Sequence, residues 1–221
     1  MPADRKPGRP SAATSPDVWR ALLDAAECKL QHKQYREITV RELAAEAGVN
    51  PAMISYYFNN KEGLFVALIE FLFGEWERKI QQILANLPRA AASPTEQFVA
   101  AVDSCFFRHA PVIKLLTREL AIGSSPIQAA YSSKLTSRVT AAIRRYLQGT
   151  IAAGYYRQDL ELTRATLLLA SMAIHPIAIE PHALASAYQM TPADLRSEGW
   201  LWQLRLAIEG AFGALQEQPP G

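Results

Sequence analysis

Between Thr39 and Lys61 the chain starts a helix three times. Thr39-Val40-Arg41-Glu42 is a capping box, in which threonine and glutamate each satisfy the other's free backbone amide. Gly48 stands where a left-handed residue ends that helix. Asn50-Pro51 caps and starts a second, Ala52 to Phe58, and Asn59-Asn60 breaks it. Asn60 caps a long helix from near Lys61, with an apolar face running from Leu64 through Trp76 to Leu87 and a stop at Pro88. Such dense punctuation leaves two very short helices joined by a tight turn, Ala47-Gly48-Val49-Asn50. Helices of this length hold only when neighbours brace them.

The flanking sequence supplies the braces. Ser15-Pro16 opens a helix, and Val18, Leu22, Ala25, Ala26 and Leu30 continue it at helical spacing to about Lys33. Downstream, helical patterns lie near Pro94–His109, Pro111–Ile122, Ile127–Ala153, Leu162–Ala187 and Pro192–Leu215. Pro111, the stretch 123–126 and the loop from Gly154 to Asp159 separate them. No segment reads as a strand and no internal repeat is visible. The expected fold is all-α with about nine helices. Residues 15–63 read as a helix-turn-helix domain, 64–217 as a larger helical domain, and 1–14 as a disordered basic arm.

Charge is unevenly placed. The net charge is +2, and residues 1–16 account for it, with Arg5, Lys6 and Arg9 against Asp4. A basic, proline-rich start on a neutral body suits an arm that follows a phosphate surface. At 49% hydrophobic residues the chain can bury a sizeable core, which excludes disorder throughout. Cys28 and Cys105 form no CxxC pair and read as reduced thiols of a cytoplasmic protein. No signal peptide is visible, and the longest apolar run, Ala165 to Ile179, is short for a membrane span. His32, His109, His175 and His182 form no metal signature, and no phosphate loop or nucleophile elbow is present. No enzymatic activity, cofactor or metal is therefore expected.

The second short helix carries hydrogen-bonding and aromatic side chains: Ser55, Tyr56 and Tyr57, with Asn50, Asn59 and Lys61 at its borders. Ala52 and Met53 offer apolar contact to a thymine methyl. A short braced helix of this kind can enter a DNA major groove, which is about 12 Å wide. Ile54 and Phe58, four apart, read as its buried anchors. Either tyrosine could instead pack inward and leave only its hydroxyl in water.

Thr39-Val40-Arg41-Glu42-Leu43-Ala44, Ala47-Gly48-Val49, Ile54-Ser55-Tyr56-Tyr57-Phe58 and Asn60-Lys61-Glu62-Gly63-Leu64, in this order and spacing, resemble the TetR family of bacterial transcription regulators. The resemblance implies a dimer with an N-terminal reading domain for double-stranded DNA and a C-terminal ligand-binding domain. Carried over residue by residue, it implies that Thr39 bonds phosphate and Arg41 reaches phosphate or a base edge. Asn50, Pro51, Ala52 and Ser55 would form the groove-facing start of the reading helix. Tyr56 and Tyr57 would touch phosphate and sugar, with Tyr56 nearer the bases, and Lys61 would meet phosphate. Arg5, Lys6 and Arg9 could lie in an adjacent minor groove. The family resemblance also implies repression rather than activation.

Beyond about Gly74 the reading rests on pattern alone. Leu167, Leu168, Leu169, Met172, Ile174, Ile177 and Ile179 spread round most of a helix, so that helix must be covered on most sides. The resemblance puts a homodimer contact here, through 162–187 and 192–215, with Trp200, Trp202, Leu204, Leu206, Ile208 and Phe212 on the second segment. A pocket for a small-molecule effector is expected between Pro94 and Ala153. Phe98, Phe106 and Phe107 would line it, or be plain core, and His109, Arg118, Glu119, Tyr131 and His175 are its polar candidates. The long helix from Lys61 to Leu87 belongs to both halves and is the expected lever between them.

Overall fold

The structure is a computed structural model that describes residues 15–87, 89–122, 126–130 and 136–214. Eleven α-helices are present among the described residues, and no strand is; a single antiparallel bridge joins Tyr156 and Gly213. The chain is all-α, as its periodicity predicts. Among the described residues, those up to Phe65 form one compact unit and those from Val66 onward a second.

The first unit contains α1 (Ser15–Leu30), a short 3-10 turn (Tyr35–Glu37), α2 (Val40–Glu46), α3 (Ala52–Phe58) and the start of α4 (Lys61–Asn86). Leu22, Leu23, Ala26, Ile38, Leu43, Ala44, Ile54, Leu64 and Phe65 are almost fully buried and form its core. Burying one such aliphatic side chain contributes roughly 1.5–3 kcal/mol. The six leucine and isoleucine side chains among them therefore supply what seven-residue helices cannot supply alone.

The second unit contains the rest of α4 with α5 (Pro94–Val102), α6 (Ala110–Ile122), α7 (Pro126–Ala130), α8 (Thr136–Ala152), α9 (Leu162–Ala178), α10 (Pro181–Tyr188) and α11 (Glu198–Phe212). Trp76 lies at its centre, with ring centroids 5.3 Å from Phe98 and 4.8 Å from Phe106. Phe98 stacks on Tyr146, whose hydroxyl is 2.9 Å from that of Tyr156, and Tyr156 is 3.0 Å from the Thr95 hydroxyl. All three hydroxyl-bearing residues are buried, and bonding to one another offsets their lost hydration.

Four helices differ from expectation. The single helix expected over 162–187 is two, because Pro181 excludes the helical conformation from the residue before it. Glu180 is accordingly extended (φ −64°, ψ 143°) and starts α10 afresh. Pro176, by contrast, is accommodated inside α9. The helix expected over 127–153 is α7 and α8, with 131–135 outside the described residues. The segment expected as one helix over 94–109 widens after Val102 into a π-turn, Asp103–Phe107, where the Arg108 amide donates to the Asp103 carbonyl five residues back. Near 192 a short 3-10 turn, Asp194–Arg196, precedes α11. No single helix among the described residues is long and apolar enough to cross a membrane; α9 and α10 reach the length only together, and they are bent by 104°.

Candidate nucleic-acid interface

The α2–turn–α3 hairpin is built from local chemistry. The Thr39 hydroxyl oxygen accepts from the Glu42 amide at 3.2 Å, and Glu42 accepts from the Thr39 amide at 2.9 Å, closing the box. Gly48 takes φ +65°, a left-handed backbone that a side chain would strain. The Asn50 side-chain oxygen accepts from the Ala52 amide at 2.8 Å, and that of Asn60 from the Gly63 amide at 2.7 Å. Gly63 is required for a different reason: a Cβ there would lie 2.0 Å from the Phe58 carbonyl oxygen. Only glycine lets α4 begin this close to the end of α3.

Tertiary contacts then turn α3 to a definite face. Ile54 and Phe58 are buried, while Pro51, Ala52, Ser55 and Tyr56 are exposed. Tyr56 is 75% exposed, the largest exposure among the big apolar side chains. Tyr57 is half-buried and meets Tyr56 edge to face, with centroids 4.9 Å apart. Of the alternatives open to the pair, Tyr56 points out and Tyr57 props it.

The charges of α2 are sorted as well. Glu46 pairs with Lys29 of α1 at 2.5 Å and Glu42 with Lys33 just beyond it, so both acids are neutralised. The Lys33 ammonium, with the Thr39 amide and hydroxyl, holds the Glu42 carboxyl down at about 2. Arg41 is exposed and has no ion-pair partner among the described residues. Thr39 and Asn50 are exposed beside it. The hairpin thus shows solvent one free cation, several hydrogen-bonding groups and an aromatic ring.

Lys61 departs from expectation. Its ammonium donates to the carbonyls of Tyr35 at 3.1 Å and Ile38 at 3.0 Å, and lies 4.5 Å over the Tyr35 ring. The Tyr35 hydroxyl in turn donates to Glu62 at 3.1 Å. Lys61 therefore fastens the 3-10 turn to the start of α4, and a phosphate could share only what remains of its donor capacity. Neither Tyr35 nor the Lys29 and Lys33 pairs were expected, because their partners lie 9 to 27 residues away and leave no periodic trace. Arg5, Lys6 and Arg9 lie outside the described residues.

Residues 22–68 match the family of bacterial regulatory proteins described as the tetR family. The chain is 27% identical over 177 residues to the transcriptional repressor NicS of Pseudomonas putida, covering 77% of this chain and 81% of that protein. Residues 22–68 thus carry the TetR-family domain, and the chain as a whole is similar to regulators of that family. It is also 33% identical over 97 residues to the regulator BetI of Rhizobium meliloti, a match spanning 46% of that protein. Among solved structures, a complex of SmeT with triclosan superposes with a TM-score of 0.66 at 16% identity, covering 92% of this chain and 95% of that one. By its similarity to these regulators, this chain is a DNA-binding transcription regulator rather than an enzyme. The hairpin from Thr39 to Phe58 lies wholly within the matched residues.

The described residues among those expected to line an effector pocket do not come together around one space. Phe98 and Phe106 are fully buried against Trp76 in the core. Arg118 and His175 are exposed, with Arg118 bonded to Glu180 at 2.7 Å, and His109 is half-buried. Tyr131 lies outside the described residues. Of the expected residues that are described, Phe107 alone lines the small space among α6, α9 and α10.

Proposed function

We propose that this chain is a ligand-responsive repressor that reads a palindromic operator as a homodimer. The observation that carries the reading is the orientation of α3: two apolar anchors inward, Ser55 and Tyr56 outward, on a helix braced by α1 and α2. Such a helix presents its first turn to base edges while the flanking Thr39 and Arg41 meet phosphates. Asn50, Pro51, Ala52 and Tyr57 complete the contact surface, and Arg5, Lys6 and Arg9 extend it into a neighbouring minor groove. Work on chromosomal DNA places the protein in the cytoplasm.

Dimerisation is supported by an apolar face without a cover. Leu167 and Leu168 on α9 are 69% and 53% exposed, and Trp202 and Leu206 on α11 are 55% and 42% exposed. Contiguous apolar exposure of this kind marks an interaction surface. Two copies joined through 162–187 and 192–215 would present two α3 helices, which must stand about 34–36 Å apart to occupy successive grooves. An effector that alters this separation releases DNA, with α4 as the element common to both units. NicS is named as a repressor, and SmeT is solved in complex with triclosan, which support the same reading here.

The test is a mobility shift on the DNA flanking the protein's own gene, with light scattering on the same sample. The expected species has twice the 24.4 kDa chain mass and binds a palindromic site. Leu167→Asp with Leu206→Glu should yield monomers that lose that site. A wild-type protein that is monomeric at micromolar concentration refutes the homodimer.

A further inference from the structure

Between Ser15 and Phe65 the cations are Arg20, Lys29, Lys33, Arg36, Arg41 and Lys61. Tertiary structure engages most of them. Arg20 pairs with Asp24, Lys29 with Glu46 and Lys33 with Glu42, while Lys61 donates to two carbonyls. Arg36 and Arg41 are exposed and have no hydrogen-bond or ion-pair partner among the described residues. Arg41 already has a role at the start of α2, and Arg36 has none.

Arg36 sits in the 3-10 turn Tyr35–Glu37, three residues before the Thr39 cap. The Lys61 ammonium binds the carbonyls on both sides of it, those of Tyr35 and Ile38. The backbone that carries this guanidinium is therefore fastened to the start of α4. The acids of the same corner are turned to other donors: Glu37 accepts from the Gln34 amide at 3.1 Å, and Glu62 from the Tyr35 hydroxyl at 3.1 Å.

Asn59 borders Lys61 from the other side. Its φ of +69° is left-handed, and its ψ of −43° lies far from the value of about +47° at which asparagine tolerates that region. Glycine would adopt this backbone more freely. Strain of this kind persists where the surroundings hold both ends. Here Phe58 is buried on one side, and on the other Asn60 accepts from the Gly63 amide at 2.7 Å. The Asn59 side chain is exposed and, unlike those of Asn50 and Asn60, bonds nothing among the described residues. An asparagine that strains the fold and gains no bond within the chain has an amide free for an outside acceptor.

We propose that Arg36 and Asn59 bind phosphates of the DNA backbone on either side of Lys61, in place of that lysine, whose ammonium is occupied by carbonyls. A guanidinium is always charged and offers phosphate a fork of donors, and the amide adds a neutral one. Such contacts fix the register of a reading helix and carry no sequence information themselves. The proposal rests on the reading of α3 as the operator-binding element.

The experiment measures the affinity of the full chain, across a salt series, for the shortest duplex from the DNA flanking its own gene that wild type shifts. Urea unfolding of each variant accompanies it. Arg36→Gln should lower the slope of log affinity against log salt by about 0.9 per contact, roughly 1.8 for a homodimer. Arg20→Gln removes an equal charge already paired with Asp24 and should leave the slope alone. Asn59→Gly relieves the strain and deletes the amide. It should unfold no earlier in urea than wild type, yet bind about 100-fold more weakly, since a hydrogen bond to a charged group is worth about tenfold and a homodimer makes it twice. Asn59→Asp should bind more weakly still at low salt, and its gap from Asn59→Gly should close as salt rises. An unchanged slope for Arg36→Gln, or an equal loss of slope for Arg20→Gln, overturns the proposal. Asn59→Gly affinity within about twofold of wild type, or a loss of affinity matched by a loss of stability, overturns it as well. Wild type that shifts no flanking fragment refutes the operator reading and this proposal with it, whereas wild-type binding that both variants retain refutes only the phosphate contacts.

Discussion

Replacing Tyr56 by alanine should separate the two jobs of α3. Tyr56 is 75% exposed, so its loss from the folded chain is nearly free; exposed substitutions of this kind stay within about 0.5 kcal/mol. Its edge-to-face contact with Tyr57 is the one packing interaction at risk, worth about 0.5–1.5 kcal/mol when buried and less here. On DNA the same side chain forms the most projecting part of the reading helix, and a base-edge or phosphate contact is worth about 1–3 kcal/mol. A homodimer makes that contact twice, giving about 2–6 kcal/mol, or roughly 30-fold to 10⁴-fold in affinity. Tyrosine carries no charge, so the slope of log affinity against log salt should not move. The assay is fluorescence anisotropy with operator DNA across a salt series, beside urea unfolding of the same protein. Affinity within about twofold of wild type, with stability unchanged, would refute the argument that α3 is the reading element.

Three further outcomes follow from the same geometry. Lys61→Met should destabilise the first unit by about 1.5–3 kcal/mol through its two lost carbonyl partners, yet leave the salt slope of DNA binding unchanged; a shallower slope with full stability would show that Lys61 serves phosphate instead. Glu42 has its pKa lowered from 4.5 to about 2 by Lys33 and Thr39, so its contribution to stability is complete above its unfolded value and fades as pH falls from there towards 2. Urea unfolding of wild type and Glu42→Gln should therefore converge on acidification, and a gap that widens would contradict this. Deleting residues 1–14 should weaken operator binding and lower the salt slope by up to about 0.9 per lost cation, for at most Arg5, Lys6 and Arg9.

The extent to which structure was readable depended on how local its cause is. The starts of α2, α3 and α4 are written by side chains that bond backbone amides two or three residues away, at Thr39, Asn50 and Asn60. Those bonds follow from sequence spacing, and the structure reproduces each of them. Reading heads of this kind are compact and nearly all cap and core, so which residues of α3 are exposed was visible too. The π-turn at 103–107 was not visible, because an i→i+5 bond has no residue code and arises from packing around Cys105 and Phe106. The break at Glu180 was signalled by Pro181, but the apolar pattern continued across it and concealed the bend.

Sequence alone determined an all-α chain, the edges of the reading hairpin and the inward pair Ile54 and Phe58, since these depend on periodicity and on contacts within one helical turn. Only tertiary structure decided which charges are free. Arg118 and Lys114 are one turn apart on α6, yet Glu180 bonds Arg118, and Lys114 lines the small space beneath α10 with no partner among the described residues. Arg41 stays open while Lys29, Lys33 and Lys61 are drawn to partners far along the chain. A charge's availability depends on what lies across from it in space, and helical spacing carries no information about the opposite wall.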